Sequence, residues 1–169
     1  MNIVFLDAKT IGDDIDLSGF EELGTVTKYP FSTSEQVPER VKDADVIVIN
    51  KVQINESTIG GARRLKLVCV TATGTNNVDL AYASQKGIAV KNVAGYSTAS
   101  VAQTTIMLAL NLIGHATYYD DFVKKGGWVS APTFTHIERP FWEIKDKRWG
   151  IIGLGTIGKE VAKIATAFG

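Results

Sequence analysis

Short runs of β-branched and apolar residues alternate along this chain with segments of helical periodicity, and this alternation restricts the fold more than any other feature. The strand-like runs cover residues 3–6, 25–29, 46–49, 67–70 and 88–90. The third and fourth runs are apolar throughout, which is typical of strands buried on both faces of a sheet. Strands that alternate with helices favour a parallel sheet with right-handed crossovers, so the sequence predicts an α/β fold.

Helical patterns fill the intervals between these strands. Ser34 is the predicted N-cap of the first helix, residues 55–65 form the second, and Asp79 is predicted to cap a third that ends at Gly87. A longer helix follows, and Ser100 and Gln103 fit a capping box at its start.

The longer helix is apolar on nearly every side and is predicted to end near residues 126–127, so we expect it to be buried between other elements. Residues 128–148 are irregular and rich in aromatic side chains. They are predicted to form a long surface segment that another surface covers.

Composition excludes several classes of function. Lys plus Arg and Asp plus Glu both number 18, so no net field attracts nucleic acid or an anionic membrane. Cys69 is the only cysteine, which excludes a disulfide framework and a thiolate metal site. Because the first residues lack a secretory pattern and no apolar run reaches a membrane span, we expect a cytoplasmic protein.

A glycine motif near the end of the chain indicates a nucleotide site. An apolar run at residues 149–152, predicted to be a strand, leads into Gly153, Gly155 and Gly158, and a helical pattern follows. In such a motif the first glycine permits a tight turn, the second admits a pyrophosphate, and the third allows close helix packing. A glycine-rich turn without a cofactor is the alternative.

Two further segments follow predicted strands at the edge where parallel sheets bind ligands. The small residues of segment 72–79 leave backbone amides open to a carboxylate, or form a plain turn that Asp79 caps. Lys51 could hold an anion there, although a solvated loop lysine is the simpler interpretation. His115 and His136 have no carboxylate at motif spacing and favour structural roles, and Cys69 lies in a buried strand where it is expected to be inert.

Together, segments 72–79, 92–103 and 150–158 resemble the D-isomer-specific 2-hydroxyacid dehydrogenases, and their order and spacing match almost from end to end. Details of segments 50–52, 74–79 and 95–98 are most similar to the glycerate dehydrogenase (hydroxypyruvate reductase) branch of that family.

The resemblance implies an α/β architecture of two domains. Residues 1–98 would form the N-terminal part of a flavodoxin-like, parallel-sheet substrate domain. Residues 99–169 would form a hinge helix, a dimer arm and the first βα unit of an NAD(P)-binding Rossmann domain. A homodimer through residues 100–148 is implied as well.

The resemblance also implies a reaction, hydride transfer between NAD or NADP and a small 2-oxo or 2-hydroxy acid of the hydroxypyruvate, glycerate or glyoxylate type. The backbone of Thr73, Gly74 and Thr75 would hold the substrate carboxylate, with Lys51 beside it. The cofactor would contact Val101, Thr105, Gly153, Leu154, Gly155, Thr156, Ile157 and Gly158.

No catalytic residue can be assigned in this chain. The family's catalytic Arg, His and carboxylate follow the glycine motif at a distance that the sequence, which ends at Gly169, does not reach. His115, His136, Arg139 and Arg148 are not substitutes for them. The helix after the glycine motif is expected to have an uncovered apolar face and to fray. Two alternatives to a dehydrogenase remain. One is a non-catalytic module that binds a nucleotide or a partner, and the other is a regulatory corepressor that responds to NAD(H).

We therefore expect the purified 169-residue chain not to oxidise NADH in the presence of hydroxypyruvate or glyoxylate, because the acid/base and the substrate-gripping arginine are not among its residues. The loss of NADH absorbance measures this. Turnover above that of a buffer blank would contradict the expectation.

Overall fold

The computed structural model describes all residues from Met1 to Gly169. The chain divides into two compact units, Met1–Ala94 and Gly95–Gly169. No helix has the combination of length and apolarity that crossing a membrane requires.

A five-stranded parallel sheet forms the centre of the first unit, as the alternation of strands and helices predicts. Its strands are β1 (Asn2–Phe5), β2 (Thr25–Lys28), β3 (Val46–Ile49), β4 (Leu67–Val70) and β5 (Ala89–Asn92). They lie in the order β2-β1-β3-β4-β5. This is the flavodoxin-like order, in which the direction of winding reverses between β1 and β3 and opens a crevice at their carboxyl ends.

Three short helices connect the later strands, namely α1 (Val37–Val41), α2 (Glu56–Ile59) and α3 (Leu80–Gln85). Asp79 caps α3 as predicted, since its carboxylate accepts the N–H of Tyr82 at 2.9 Å. The prediction that Ser34 caps the first helix is wrong, because Gln36 holds the N-cap position without a side-chain bond. The second helix is far shorter than the predicted 55–65, because it ends at Ile59 with Gly60 as its C-cap, and residues 60–66 form turns and irregular structure.

The central strands of the sheet are buried on both faces, whereas the edge strands β2 and β5 are largely exposed. Ile47 and Ile49 of β3 contribute to a large cluster with the buried residues of α1, α2 and α3. Val48 points to the opposite face, where it packs with Ile3 and Phe5. The apolar run of β3 therefore has the two-sided burial that the sequence predicts for it.

The second unit contains four helices, α4 (Thr98–Gly114), α5 (Ala116–Lys124), α6 (Gly127–Ser130) and α7 (Thr156–Thr166). The predicted capping box at Ser100 is wrong: α4 already begins at Thr98, and the Ser100 hydroxyl donates to the carbonyl of Ser97 at 3.0 Å. The predicted single helix is also wrong, because His115 adopts a left-handed conformation with φ 51° and separates α4 from α5.

Burial in this unit differs from the prediction in two ways. Only Ala102 and Ile106 of α4 are buried, so that helix is not enclosed on all sides within the chain. These residues pack against Val161 of α7, in a cluster with the partly buried Trp149. The apolar face of α7 is thus covered by α4, contrary to the expectation that it is uncovered.

Residues 149–152 form no strand, which corrects the prediction for this run. The five strands of the chain all belong to the sheet of the first unit, so this segment has no neighbour with which to exchange backbone hydrogen bonds. Of the predicted irregular segment 128–148, residues 131–148 are irregular as expected, but the prediction is wrong for residues 128–130, which belong to α6. Phe134 and Trp142 are exposed.

Ile47→Ala should lower the free energy of unfolding by about 2–5 kcal/mol, because it removes a fully buried side chain from the central strand. Ile15→Ala is the matched control, since Ile15 is exposed and its truncation should cost less than about 1 kcal/mol. Urea denaturation monitored by circular dichroism measures both variants. Equal losses in the two would contradict this account of the core.

Candidate functional site

Loops that leave the carboxyl ends of β3, β4 and β5 lie along one edge of the sheet in the first unit. Hydrogen bonds tie them to one another: the side chain of Asn92 donates to the carbonyl of Thr73 at 2.7 Å, and the Thr73 hydroxyl donates to the carbonyl of Val93 at 3.0 Å. This edge is where parallel α/β sheets bind ligands, so it is the candidate site of this unit.

Segment 72–79 presents free backbone donors at this edge. The backbone N–H groups of Thr73, Gly74 and Thr75 donate to no backbone carbonyl, and Thr73 and Gly74 are exposed. Open space surrounds the position of a Cβ on Gly74, so the backbone can be approached closely there. Free backbone amides of this kind suit a carboxylate.

Lys51 lies in the adjacent loop, directly after β3. Its side chain is exposed and forms no ion pair, so the ammonium group is available to an anion. The side-chain amide of Asn77 donates to the carbonyls of Asn50 and Val52 at 3.2 and 2.8 Å. The structure therefore brings the Lys51 loop and segment 72–79 together, as their positions after neighbouring strands predict.

Asp7 is a residue at this edge to which the sequence analysis assigns no role. It is buried, follows β1, and its carboxylate accepts the backbone N–H of Lys51 at 2.6 Å. It also accepts the N–H groups of Asn50 and Val52. The feature of the sequence that could have identified Asp7 is an acidic residue directly after an apolar strand. From that position a side chain reaches the crevice between β1 and β3.

The glycine motif of the second unit has the geometry that its spacing predicts. Gly153 has φ +91°, a conformation that favours glycine. A Cβ on Gly158 would lie 2.2 Å from the carbonyl oxygen of Gly153, whereas a Cβ on Gly155 would meet nothing within 4 Å. The third glycine is thus required for close packing, and the second leaves an open approach to the backbone.

The N-terminus of α7 supplies anion-binding groups at this motif. Gly155 is the N-cap, no side chain caps the helix, and no acidic residue occupies its first turn. The first backbone hydrogen bond of the helix is donated by the N–H of Lys159 to the carbonyl of Gly155 at 2.9 Å. The N–H groups of Thr156, Ile157 and Gly158 precede it and lie at the positive end of the helix dipole. Leu154 is exposed beside them.

The two remaining predicted cofactor contacts lie on α4. Val101 and Thr105 are both exposed and stand one turn apart on the helix. The Thr105 hydroxyl donates to the carbonyl of Val101 at 2.8 Å, so its proton is directed into the helix and its oxygen remains an acceptor.

The side chains of the two histidines and the cysteine form no hydrogen bond with the groups named above. His115 is the joint between α4 and α5. His136 stacks on Phe122 with ring centroids 3.7 Å apart, and its Nε2 lies 2.6 Å from the hydroxyl oxygen of Tyr118. Burial raises the pKa of the Cys69 thiol above its usual range, which disfavours the nucleophilic thiolate.

Comparison with known proteins gives one consistent family. The family model described as "D-isomer specific 2-hydroxyacid dehydrogenase, catalytic domain" matches residues 3–167. A hydroxypyruvate reductase of Blautia hydrogenotrophica is 37% identical over 173 aligned residues, which cover 100% of this chain and 54% of that protein. The chain spans about half the length of the curated relatives it matches.

Solved structures have the same fold. A D-lactate dehydrogenase from Aquifex aeolicus, complexed with NAD and lactic acid, superposes with a TM-score of 0.81 at 27% identity, covering 99% of this chain and 49% of that one. An acyclic imino acid reductase in complex with NADPH and D-Arg superposes with a TM-score of 0.82 at 27% identity, covering 99% and 53%.

Gly158→Ala should lower the free energy of unfolding by about 2–3 kcal/mol, because the new methyl group collides with a backbone carbonyl that cannot move without opening the turn. Gly155→Ala is the matched control, with open space around the added carbon and an expected cost below about 1 kcal/mol at the N-cap. Chemical denaturation of both variants measures the difference. A Gly158→Ala chain as stable as Gly155→Ala would contradict the assigned packing.

Proposed function

This chain belongs to the D-isomer-specific 2-hydroxyacid dehydrogenase family, and on that premise we propose that it binds the carboxylate of a small 2-oxo acid and begins an NAD(P)-binding site. Residues 1–98 would be the N-terminal part of the substrate domain, and residues 99–169 the hinge helix, the dimer arm and the first part of the cofactor domain. The two compact units divide four residues earlier, between Ala94 and Gly95. The protein would be an oxidoreductase that transfers a hydride between nicotinamide and substrate.

The observation that carries the proposal is the set of free donors beside Lys51. The N–H groups of Thr73, Gly74 and Thr75 would donate to the substrate carboxylate, and the Lys51 ammonium would add a positive charge. No side chain fills the space over Gly74. The proposed substrates are small 2-oxo acids such as hydroxypyruvate and glyoxylate. The name of the Blautia relative supports the same substrate class.

The residues of the second unit fit a dinucleotide. Gly153, Gly155 and Gly158, with Leu154, Thr156 and Ile157 between them, would hold the pyrophosphate at the N-terminus of α7, where the open space at Gly155 admits it. Val101 and Thr105 would contact the nicotinamide portion. The cofactor, NAD or NADP, supplies the hydride chemistry when bound, and the protein supplies binding and orientation. Bound NAD in one structural neighbour and bound NADPH in another support the proposal of this cofactor class.

We also propose that the protein is a homodimer through residues 100–148. Large apolar side chains in this range are exposed, and a second copy would cover them. The most exposed are Leu112, Val129, Phe134, Ile137 and Trp142.

Lys51→Gln should weaken the binding of hydroxypyruvate to the 169-residue chain about 10- to 100-fold, because a charge-assisted contact worth about 1.5–3 kcal/mol is lost. Lys66→Gln is the matched control: Lys66 is also exposed but lies at the opposite, amino-terminal edge of the sheet, immediately before β4. Titration of the 15N-labelled chain gives the dissociation constants, and the amide signals of Thr73, Gly74 and Thr75 should shift.

Two results would contradict the proposal. One is the absence of any shift at these amides when hydroxypyruvate is added to the unsubstituted chain. The other is an equal loss of affinity in Lys51→Gln and Lys66→Gln, which would mean that general charge, and not position, attracts the acid.

A further inference from the structure

We infer that Asp7 is a positioning residue of the proposed substrate site, where its carboxylate acts as an internal anion that fixes the backbone carrying Lys51. This inference rests on the proposed function. Asp7 would thereby orient the Lys51 ammonium group. Because Asp7 occupies the backbone amides of the loop, the loop offers a ligand the charge of Lys51 and no backbone donors.

The carboxylate of Asp7 is held by three consecutive backbone amides. Asn50 donates to Oδ1 at 2.9 Å and to Oδ2 at 3.1 Å, and Lys51 and Val52 donate to Oδ2 at 2.6 and 3.3 Å. Asp7 is 6% exposed and takes part in no ion pair, so these amides are the groups that compensate its charge. Charge-assisted bonds of this kind are about twice as strong as neutral ones.

The carbonyl groups of the same loop are held from the other side. The side-chain amide of Asn77 donates to the carbonyls of Asn50 and Val52, and the backbone of Asn77 accepts the N–H of Ile54 at 2.8 Å. Asn77 belongs to segment 72–79, which also carries the free amides of Thr73 to Thr75. The loop around Lys51 and the proposed carboxylate-binding amides are therefore parts of one hydrogen-bonded frame.

The hydrogen bonds that already occupy the backbone of residues 50–52 restrict where a ligand can bind. An incoming carboxylate cannot use the N–H groups of residues 50–52, since Asp7 already occupies them. It can take donors only from segment 72–79 and from the Lys51 side chain. Because a buried carboxylate repels a second anion, Asp7 also disfavours an anion at the amides that it occupies, whereas the Lys51 side chain is exposed.

Asp45 provides a control of closely similar chemistry. It is 9% exposed, and its carboxylate accepts a backbone N–H, from Asn2 at 2.7 Å. It differs in position, because it precedes β3 and lies at the amino-terminal edge of the sheet, and in partner, because Arg64 also donates to it. The backbone bond from Asn2, followed by the Arg64 guanidinium, holds the pKa of Asp45 below its usual range.

The test compares Asp7→Asn, Asp45→Asn and the double variant Asp7→Asn/Lys51→Gln in the 169-residue chain. Asp7→Asn should raise the dissociation constant for hydroxypyruvate about tenfold. The side-chain NH2 group of the asparagine would face backbone N–H groups of residues 50–52, which need an acceptor. It should also speed hydrogen exchange at Asn50, Lys51 and Val52. Asp45→Asn should lower the thermal midpoint but leave the dissociation constant unchanged.

The double variant separates positioning from general stability. If Asp7 acts through Lys51, Asp7→Asn should weaken binding far less when residue 51 is already glutamine. If Asp7→Asn does not fold, Asp7→Glu replaces it in both single and double form, since it keeps the charge but displaces the loop by one methylene and should also weaken binding.

Each outcome bears on a different statement. An unsubstituted chain that binds no hydroxypyruvate overturns the proposed function and this inference with it. Binding by the unsubstituted chain, together with an unchanged dissociation constant in the Asp7 variants, overturns the inference alone. Additive losses from Asp7 and Lys51 substitutions overturn it too, because they would show that the two residues act independently.

Discussion

The parallel alignment of β1, β3 and β4 is the constraint on which the proposed substrate site depends. β3 pairs with β1 on one side and with β4 on the other, and both pairings are parallel. All three strands therefore deliver their following loops to one edge. The loop after β1 provides Asp7, the loop after β3 provides Lys51, and the loop after β4 provides the free amides. Residues far apart in the chain become neighbours only because the sheet is parallel.

Burial of β3 on both faces fixes the register of that alignment. Ile47 and Ile49 pack into one cluster and Val48 into the other, so a shift by one residue would exchange the two faces. The position of Lys51, two residues after the strand ends, follows from this register. The Asp7 carboxylate and the Asn77 amide then satisfy backbone groups of residues 50–52 that would otherwise lack a partner within the protein.

The second unit depends on a different contact, the packing of α7 against α4. Val161 meets Ala102 and Ile106, and this contact covers the apolar face of the helix that follows the glycine motif. The motif itself is a local structure: a positive φ at Gly153 and the absence of a Cβ at Gly158 permit the turn. For that reason its geometry agrees with its spacing even though residues 149–152 have no strand partner.

Local patterns were predicted well where a nearby group decides the structure. Asp79 caps its helix because the amide that it accepts lies three residues away. Predictions failed where residue type alone does not determine where a helix begins or breaks. Ser34 and Ser100 have the right side chains for capping, yet the helices begin elsewhere. The joint at His115 was not predicted, because a histidine in a left-handed conformation carries no marker comparable to glycine.

The sequence by itself determined the α/β class, the five strands, the family and the three segments that could bind a ligand, because periodicity, glycine spacing and motif order are properties of neighbouring residues. Only the tertiary structure decided that Asp7 and Asn77 hold the Lys51 loop, that α4 covers α7, and that residues 149–152 remain unpaired. These outcomes depend on contacts between residues distant in the chain, and the pairing of a buried carboxylate with an amide 44 positions away leaves no pattern along the sequence.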